Sequence, residues 1–295
     1  MTEKPPLPPK SAVELPRSVR FDMESKAAGS TYRIFVFEPH MPAPPEGYPV
    51  LVASDGNINF PLAMAMATMF GFSAAPALVV CVGYPTDNPL EWQSLRTRDL
   101  TPKTPIEAIR PMPGLPPPAE ENFGGAEAFH RFLTEELRPA IAAAWPVDPA
   151  NETLYGYSLG GLFTLHALFA HPASYRTFVA GSPSIWWNDR AVLAGEAGFS
   201  TKVAAGEVAP RVLVTIGELE QDPPKTTPPG MTETEAAALI ASAAMVDNAR
   251  QLGERLARVK GAPGYEAKFH LFHGEDHLSA MAAAIARALD FALRR

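Results

Sequence analysis

The sequence has almost no cysteine: Cys81 is the single one among 295 residues. One cysteine excludes an internal disulfide, and its place in the apolar run ALVVCVG favours a small core side chain. Long hydrophobic runs are also missing. No segment reaches the roughly 18 apolar residues needed to cross a bilayer, and the first residues, MTEKPPLPPK, lack the apolar stretch of a signal peptide. We therefore expect a soluble, cytoplasmic protein that does not contact a membrane.

Positive charge is scarce as well. The chain has 25 Lys and Arg against 32 Asp and Glu, a net charge of −7, and its basic residues are scattered. Because nucleic-acid binding needs a basic face, nucleic acid is not expected as a partner. Of the seven histidines, the four that lie before the last predicted strand, His40, His130, His166 and His171, do not stand at metal-ligand spacing from one another. Neither a metal site nor a cofactor is therefore predicted.

Proline is abundant, with 32 copies, 17 of which lie in residues 5–16, 39–49 and 102–118, where they indicate loops. We predict a proline-rich tail over residues 1–18 and one domain over residues 19–295, because α/β folds of this length commonly form a single domain. Residues 87–122 have no periodic apolar pattern and are too long for an ordinary connection, which predicts a lid or a disordered insertion.

Short β-branched or apolar runs alternate with longer segments of helical period. This alternation predicts an α/β fold, in which a mostly parallel central sheet is flanked by helices on both faces. The predicted strands are Tyr32–Glu38, which is expected to be antiparallel, then Pro49–Asp55, Ala77–Gly83, Thr153–Tyr157, Thr177–Ala180, Arg211–Gly217 and Glu266–Phe272. The predicted helices include Ala126–Trp145, Leu159–His171, Thr232–Val259 and Leu278–Arg294.

The clearest chemical signal is the motif G-x-S-x-G in TLYGYSLGG, which places Ser158 between Gly156 and Gly160. An apolar strand precedes it and a helical run follows, which is the context of a nucleophile elbow. At such a turn, the Ser158 hydroxyl projects above the sheet and the Leu159 amide points toward a developing oxyanion. The alternative interpretation is a glycine-rich turn that merely joins a strand to a helix.

The order serine, acid, histidine places the base after the last strand. We prefer His277, which follows the turn Gly274–Asp276, over His273 at the end of the strand and over His270 within it.

The acid should follow the strand RVLVTIG, where it can orient the imidazole. Glu220 is the preferred residue, and Glu218 and Asp222 are alternatives. The sequence also allows the alternative that Ser158 and His277 act as a dyad without an acid.

A second oxyanion donor is expected in the loop SDGN after an early strand, from the amide of Gly56 or Asn57. A simple Asp-Gly turn is the alternative. Two adjacent tryptophans, Trp186 and Trp187, are costly to leave in water and are expected to line the cleft or to pack beneath the lid. Core packing alone is the other possibility.

Arg96 and Arg98 precede the proline-rich segment, and either could bind an anionic substrate group. A structural ion pair to Asp99, or solvent exposure, is the alternative for both.

With these motifs in place, the sequence resembles the esterase branch of the α/β hydrolases, and within it the bacterial siderophore esterases that open catecholate trilactones. The matching segments occur in the expected order: YRIFVFEP, VLVASDGNINF, LRTRDLTP, NFGGAEAFHRFLTEELRP, TLYGYSLGGLFTLHALFAHP, FVAGSPSIWWND, VTIGELEQ and FHGEDH. The resemblance implies an α/β-hydrolase fold, a nucleophile at Ser158, a base at His277 and an arginine contact to catecholate at Arg96 or Arg98.

The expected function is that of a serine esterase acting on a small-molecule ester through an acyl-enzyme. Feruloyl or acetyl esterases, thioesterases and a non-catalytic binding module remain alternatives, since a fold alone does not establish function.

Overall fold

The computed structural model describes residues 11–109, 116–117, 119–223, 227 and 230–294. Most of the predicted tail, residues 1–10, and the central part of the predicted lid, residues 110–115 and 118, lie outside the described residues. Residues 11–17 are in no helix or strand.

One sheet runs through the described part of the chain. Its eight strands are β1 Ser18–Ser25, β2 Ser30–Phe37, β3 Tyr48–Ala53, β4 Leu78–Gly83, β5 Val147–Tyr157, β6 Thr177–Gly181, β7 Arg211–Gly217 and β8 Glu266–Phe272. The spatial order is β1-β2-β4-β3-β5-β6-β7-β8. Only the β1–β2 and β2–β4 pairs are antiparallel. The other five pairs are parallel. This architecture confirms the predicted α/β-hydrolase fold.

The central strands are buried on both faces, as their unbroken apolar sequences require. All of β3, β4 and β6 is buried, and so is β7 after its first residue. A sheet of this kind needs helices on both sides.

The helices in the described ranges are α1 Gly56–Phe70, α2 Pro89–Leu100, α3 Ala126–Arg131, α4 Arg138–Ala144, α5 Leu159–Ala170, α6 Glu196–Ala204, α7 Glu233–Ala243, α8 Met245–Arg258 and α9 Ala280–Leu293. Helices α1 and α9 cover one face of the sheet, where Phe60 and Ile285 belong to one buried cluster. Helices α3, α5 and α8 cover the other, where Phe129, Phe163 and Leu252 belong to a second.

Several elements differ from the prediction. The predicted helix Thr232–Val259 is two helices, because Ala244 between them takes a left-handed conformation with φ of 45°. The predicted helix Ala126–Trp145 contains a π-helical stretch, Phe132–Leu137. Strand β1 was not predicted, and neither was α2, which lies within the segment predicted as a lid or disordered insertion.

In the described ranges, no helix has both the length and the apolar character that crossing a membrane would require.

Replacing Phe163 by alanine tests the packing beneath α5. This ring is fully buried and its centroid lies 5.1 Å from that of Phe129. Phe163→Ala should lower the free energy of unfolding by about 3–5 kcal/mol, because a cavity replaces the ring. Urea denaturation measures this loss. Phe72→Ala is the control, since this ring is 79% exposed and its removal should change stability little. Equal losses in both variants would contradict the packing described.

Candidate active site

Strand β5 ends at Tyr157 and α5 begins at Leu159, so Ser158 forms the turn between them. Its backbone has φ of 60° and ψ of −117°, a conformation that costs a non-glycine residue of order 1–3 kcal/mol. The turn is held on both sides: the Ser158 amide donates to the carbonyl of Gly181, and the Ser158 carbonyl accepts from the amides of Leu162 and Ser184. The strain is therefore balanced by surrounding hydrogen bonds.

The glycines of the motif are required by space. A Cβ atom on Gly156 would lie 2.0 Å from the carbonyl oxygen of Gly160. One on Gly160 would lie 2.4 Å from the hydroxyl oxygen of Ser54 at the end of β3. Gly156 therefore has no room for a side chain, because backbone blocks it, and a side chain at Gly160 would force the Ser54 hydroxyl to move. The two glycines let the strand, the turn and the neighbouring loop approach each other this closely.

The structure brings Ser158, His277 and Glu220 together, although 119 residues separate the serine from the histidine. Nε2 of His277 lies 3.1 Å from Oγ of Ser158. Nδ1 of the same ring lies 2.6 Å from Oε2 of Glu220. The imidazole thus lies between a hydroxyl and a carboxylate, with one nitrogen facing each.

The Glu220 carboxylate is almost completely buried, with 1% of its side chain exposed. Its Oε1 accepts hydrogen bonds from the amide of Gly217 at 2.7 Å and from the hydroxyl of Ser182 at 2.5 Å, which leaves Oε2 facing His277. A buried carboxylate needs such donors, and they fix its orientation. Ser182 follows β6, and nothing in the sequence marked it as part of this site.

The Tyr157 side chain packs against His277 and bonds to its backbone. Its ring centroid lies 5.2 Å from that of His277, and its hydroxyl donates to the backbone carbonyl of His277 at 2.8 Å. Burial and the charge of Glu220 raise the pKa of Tyr157, so its hydroxyl stays protonated and able to donate. Sequence reasoning missed this residue because it looked like one more apolar strand position.

The alternative acids lie elsewhere. Glu218 contacts the exposed His273, with 3.2 Å between Oε1 and Nδ1, and accepts from the amide of Gly274. These contacts lower the pKa of Glu218. Asp222 is exposed on the loop that follows. Among the three carboxylates weighed from the sequence, Glu220 is the one in hydrogen-bond contact with His277.

The loop after β3 lies next to the turn at Ser158, because β3 and β5 are neighbours in the sheet. Gly56 begins α1 there and Leu159 begins α5, so both amides belong to the first turn of a helix, where N–H groups lack partners within the helix. The Asn57 side chain fixes the loop: its Oδ1 accepts from the amide of Tyr84, and its Nδ2 donates to the carbonyls of Tyr84 and Thr86. Two helix N-termini therefore meet beside the serine.

Arg96 is engaged by Asp55, the residue before α1. Two hydrogen bonds join them, Nε to Oδ1 at 2.7 Å and Nη2 to Oδ2 at 3.0 Å, and both residues are buried. Burial by itself lowers the pKa of Arg96, but the charge and hydrogen bonds of Asp55 outweigh it, and the net pKa is raised. Asp55 has a left-handed φ of 57°. This partner differs from the Asp99 pair considered for Arg96 from the sequence, and it makes Arg96 a residue that holds the α1 loop.

Arg98 forms an ion pair with Asp99, the alternative considered for it from the sequence, with contacts of 2.7 and 2.9 Å.

Trp187 is buried: its Nε1 donates to the hydroxyl of Thr104 at 3.1 Å, and its ring lies 5.3 Å from that of Phe123. It therefore packs against residues at both ends of the proline-rich segment. Trp186 is partly exposed.

Comparison with known proteins shows which family this chain belongs to. A family model with the description "Putative esterase" matches residues 114–289, a range that includes Ser158, Glu220 and His277. The chain belongs to this esterase family.

Several relatives match this chain over most of its length. Ferri-bacillibactin esterase BesA of Bacillus subtilis (strain 168) is 36% identical over 277 residues, which cover 92% of this chain and 88% of that protein. Siderophore triacetylfusarinine C esterase of Aspergillus fumigatus is 34% identical over 94% of this chain and 93% of that protein. The crystal structure of BES protein from Bacillus cereus matches with a TM-score of 0.82 and 30% identity, over 97% of this chain and 100% of that one.

Gly156→Ala tests the turn. The added methyl group would collide with backbone rather than with a flexible side chain, so we expect loss of esterase activity together with a lower thermal unfolding midpoint. Gly198→Ala is the matched control, because a Cβ there meets nothing within 4 Å and alanine is favoured in the helix α6. A Gly156→Ala variant as active and stable as Gly198→Ala would contradict the crowding described.

Arg96→Met tests the loop before α1. It leaves the Asp55 carboxylate buried without a partner and should lower the free energy of unfolding by about 3–5 kcal/mol. Adding Asp55→Asn removes that charge, so the double variant should be more stable than Arg96→Met alone. Urea denaturation gives both values. Arg131→Met, which breaks an exposed pair with Glu135, is the control and should change little. A double variant that is no more stable than Arg96→Met alone would contradict the ion pair between Arg96 and Asp55.

Proposed function

We propose that this chain is a serine esterase that cleaves the ester bonds of siderophores, with Ser158 as nucleophile, His277 as base and Glu220 as the acid that orients it. The observation that carries the proposal is the unbroken contact from the Ser158 hydroxyl through His277 to the buried Glu220 carboxylate. A hydroxyl, an imidazole and a carboxylate in this order are the parts that acyl transfer needs.

The reaction proceeds in two steps. Oγ of Ser158 attacks the ester carbonyl while Nε2 of His277 takes its proton, and the same nitrogen then protonates the leaving alcohol. The acyl group stays bonded to Oγ. Water deprotonated by His277 attacks this acyl-enzyme, which releases the carboxylic acid and restores the serine. Glu220 keeps the proton on Nδ1, so that Nε2 is free to accept, and stabilises the imidazolium while it lasts.

The negative charge that forms on the carbonyl oxygen needs donors beside Ser158. We assign this role to the amide of Leu159 and to that of Gly56 or Asn57, which begin helices α5 and α1. Each such donor is worth roughly 2.7–4 kcal/mol in a preorganised site. The Arg96–Asp55 pair holds the α1 loop, and thereby the second donor, in place.

The substrate class is inferred from the relatives. Two relatives that match this chain almost from end to end are named as esterases of ferri-bacillibactin and of triacetylfusarinine C. S-formylglutathione hydrolase of Mus musculus, a thioester-cleaving alternative, matches over 19% of this chain. The extent of the matches favours siderophore esters, in line with the catecholate trilactones that the sequence motifs suggest. Trp186, partly exposed beside the buried Trp187, is the aromatic side chain we expect to contact such a substrate.

Two substitutions separate the catalytic roles. Ser158→Ala should lower kcat for p-nitrophenyl acetate by about 10⁶-fold, and Glu220→Gln by about 10⁴-fold, by analogy with other serine hydrolases. Glu218→Gln is the matched control, because this glutamate contacts His273 instead, and its kcat should stay close to that of the unchanged protein. If Glu218→Gln proves the more damaging of the two glutamate variants, Glu220 is not the acid.

A substrate panel tests the siderophore assignment. Ferri-bacillibactin, triacetylfusarinine C, p-nitrophenyl acetate and S-formylglutathione are compared by kcat/KM, with Ser158→Ala as the blank. We expect the highest kcat/KM for one of the two siderophores. A higher value for S-formylglutathione than for both siderophores would contradict the substrate class while leaving the serine mechanism intact.

A further inference from the structure

Helices α3 and α5 bring four side chains of metal-binding type together, away from Ser158. Glu127 and His130 lie one turn apart on α3, while His166 lies on α5 and His171 directly follows it. Ligand atoms from Glu127, His130 and His171 all lie within 4.8 Å of one another. We call these four residues the α3–α5 cluster.

The contacts inside the α3–α5 cluster converge on the Glu127 carboxylate. Nε2 of His171 lies 3.0 Å from Oε2 of Glu127, and Nε2 of His166 lies 3.5 Å from the same oxygen. Nε2 of His166 is buried, and its 3.5 Å distance to Glu127 is too long for a good hydrogen bond, so this nitrogen is only weakly satisfied. A buried polar atom of this kind calls for an explanation, and a bound ion would supply one.

The side chains of the α3–α5 cluster are of the types that bind divalent metals, since imidazole nitrogens and carboxylate oxygens are the usual ligands of Zn²⁺. Arg138, which donates to the Ser174 carbonyl beside the cluster, is paired with Glu152.

The ring of His130 is held from outside the cluster. The Ser174 hydroxyl donates to the carbonyl of His171 at 2.7 Å and lies 3.2 Å from Nε2 of His130. Because its hydrogen is already donated, Ser174 accepts from Nε2 of a neutral His130, which leaves the lone pair on Nδ1. A histidine that donates one N–H to a fixed acceptor and keeps the other nitrogen free is the usual arrangement around a bound metal.

We propose that Glu127, His130 and His171 bind a divalent transition-metal ion, with His166 as a fourth ligand, in a site that nothing in the esterase mechanism uses. Imidazole and carboxylate donors suit Zn²⁺, whose four ligands would stand about 3.3 Å apart at metal–ligand distances of about 2.0–2.1 Å. The ligand atoms of Glu127, His130 and His171 lie within 4.8 Å of one another, so the widest pair has to close by up to about 1.5 Å. The rings of His130 and His171, which stack with their planes 9° apart, also have to turn toward the ion.

The role of such an ion is structural. The 13 residues from Ser158 to His171 correspond to about 20 Å along a helix, so the ion would not reach the reacting atoms. It would join α3 to the far end of the helix that begins beside the nucleophile.

Metal binding by the purified full-length protein tests the site. After dialysis against a chelator, the protein is titrated with Zn²⁺ alone by calorimetry, and with Co²⁺ alone by visible absorption, which reports tetrahedral nitrogen and oxygen ligands. We expect one ion per chain and a higher thermal unfolding midpoint with Zn²⁺. Glu127→Gln and His171→Gln should each weaken Zn²⁺ binding by at least about tenfold.

Two matched variants serve as controls. Glu135→Gln changes an exposed glutamate on the same stretch of chain, and His40→Gln an exposed histidine elsewhere, and both should bind Zn²⁺ like the unchanged protein. Esterase activity in Glu127→Gln shows that the variant is folded. The proposal is overturned if the unchanged protein takes up no stoichiometric ion, a result that requires no variant. It is also overturned if Glu127→Gln binds Zn²⁺ as tightly as Glu135→Gln does.

Discussion

The strained turn at Ser158 is the constraint on which the rest of the site depends. A serine with φ of 60° between a buried strand and a helix is stable only where Gly156 and Gly160, two positions away on either side, leave room for the turn and where its own amide and carbonyl are hydrogen-bonded. Once that turn exists, the hydroxyl is presented at the carboxyl end of the sheet and α5 begins directly beside it. The His277 and Glu220 loops meet it there because β7 and β8 end at the same edge.

The loops at this edge support one another through buried polar contacts. Ser182, after β6, binds Glu220, after β7, and Tyr157, at the end of β5, binds the backbone of the loop that carries His277. The Arg96–Asp55 pair does the same for the loop after β3. Buried groups of this kind are costly when a partner is removed, so the orientation of the imidazole is fixed by a network and not by one contact.

The fold and the elements of the site were largely predictable from local patterns. Apolar runs located the central strands because strands buried on both faces need them. The motif G-x-S-x-G marked the turn because backbone blocks any side chain at Gly156 and the Ser54 hydroxyl crowds Gly160. Strand β1 was missed because its exposed, charged residues give no apolar run. The helix α2 was missed because its polar sequence gives a weak apolar stripe, and its position is set by the buried Arg96 and Leu100.

Contacts between distant residues were not predictable from spacing. Asp55 is 41 residues from Arg96, and nothing in either segment shows that they pair. The α3–α5 cluster escaped notice for the same reason, since its members come from two helices about 40 residues apart in the chain. Glu220 and Glu218 stand two residues apart with equal chemistry, and only the turn after β7 decides which one is buried against His277.

The claim that Ser158 is the nucleophile is tested most directly by reacting the unchanged protein with a fluorophosphonate and locating the adduct by peptide mass spectrometry. We predict one adduct per chain, on the peptide that contains Ser158 and on that side chain. An adduct on a different serine that accompanies complete loss of esterase activity, or full activity after complete labelling of Ser158, would contradict the account.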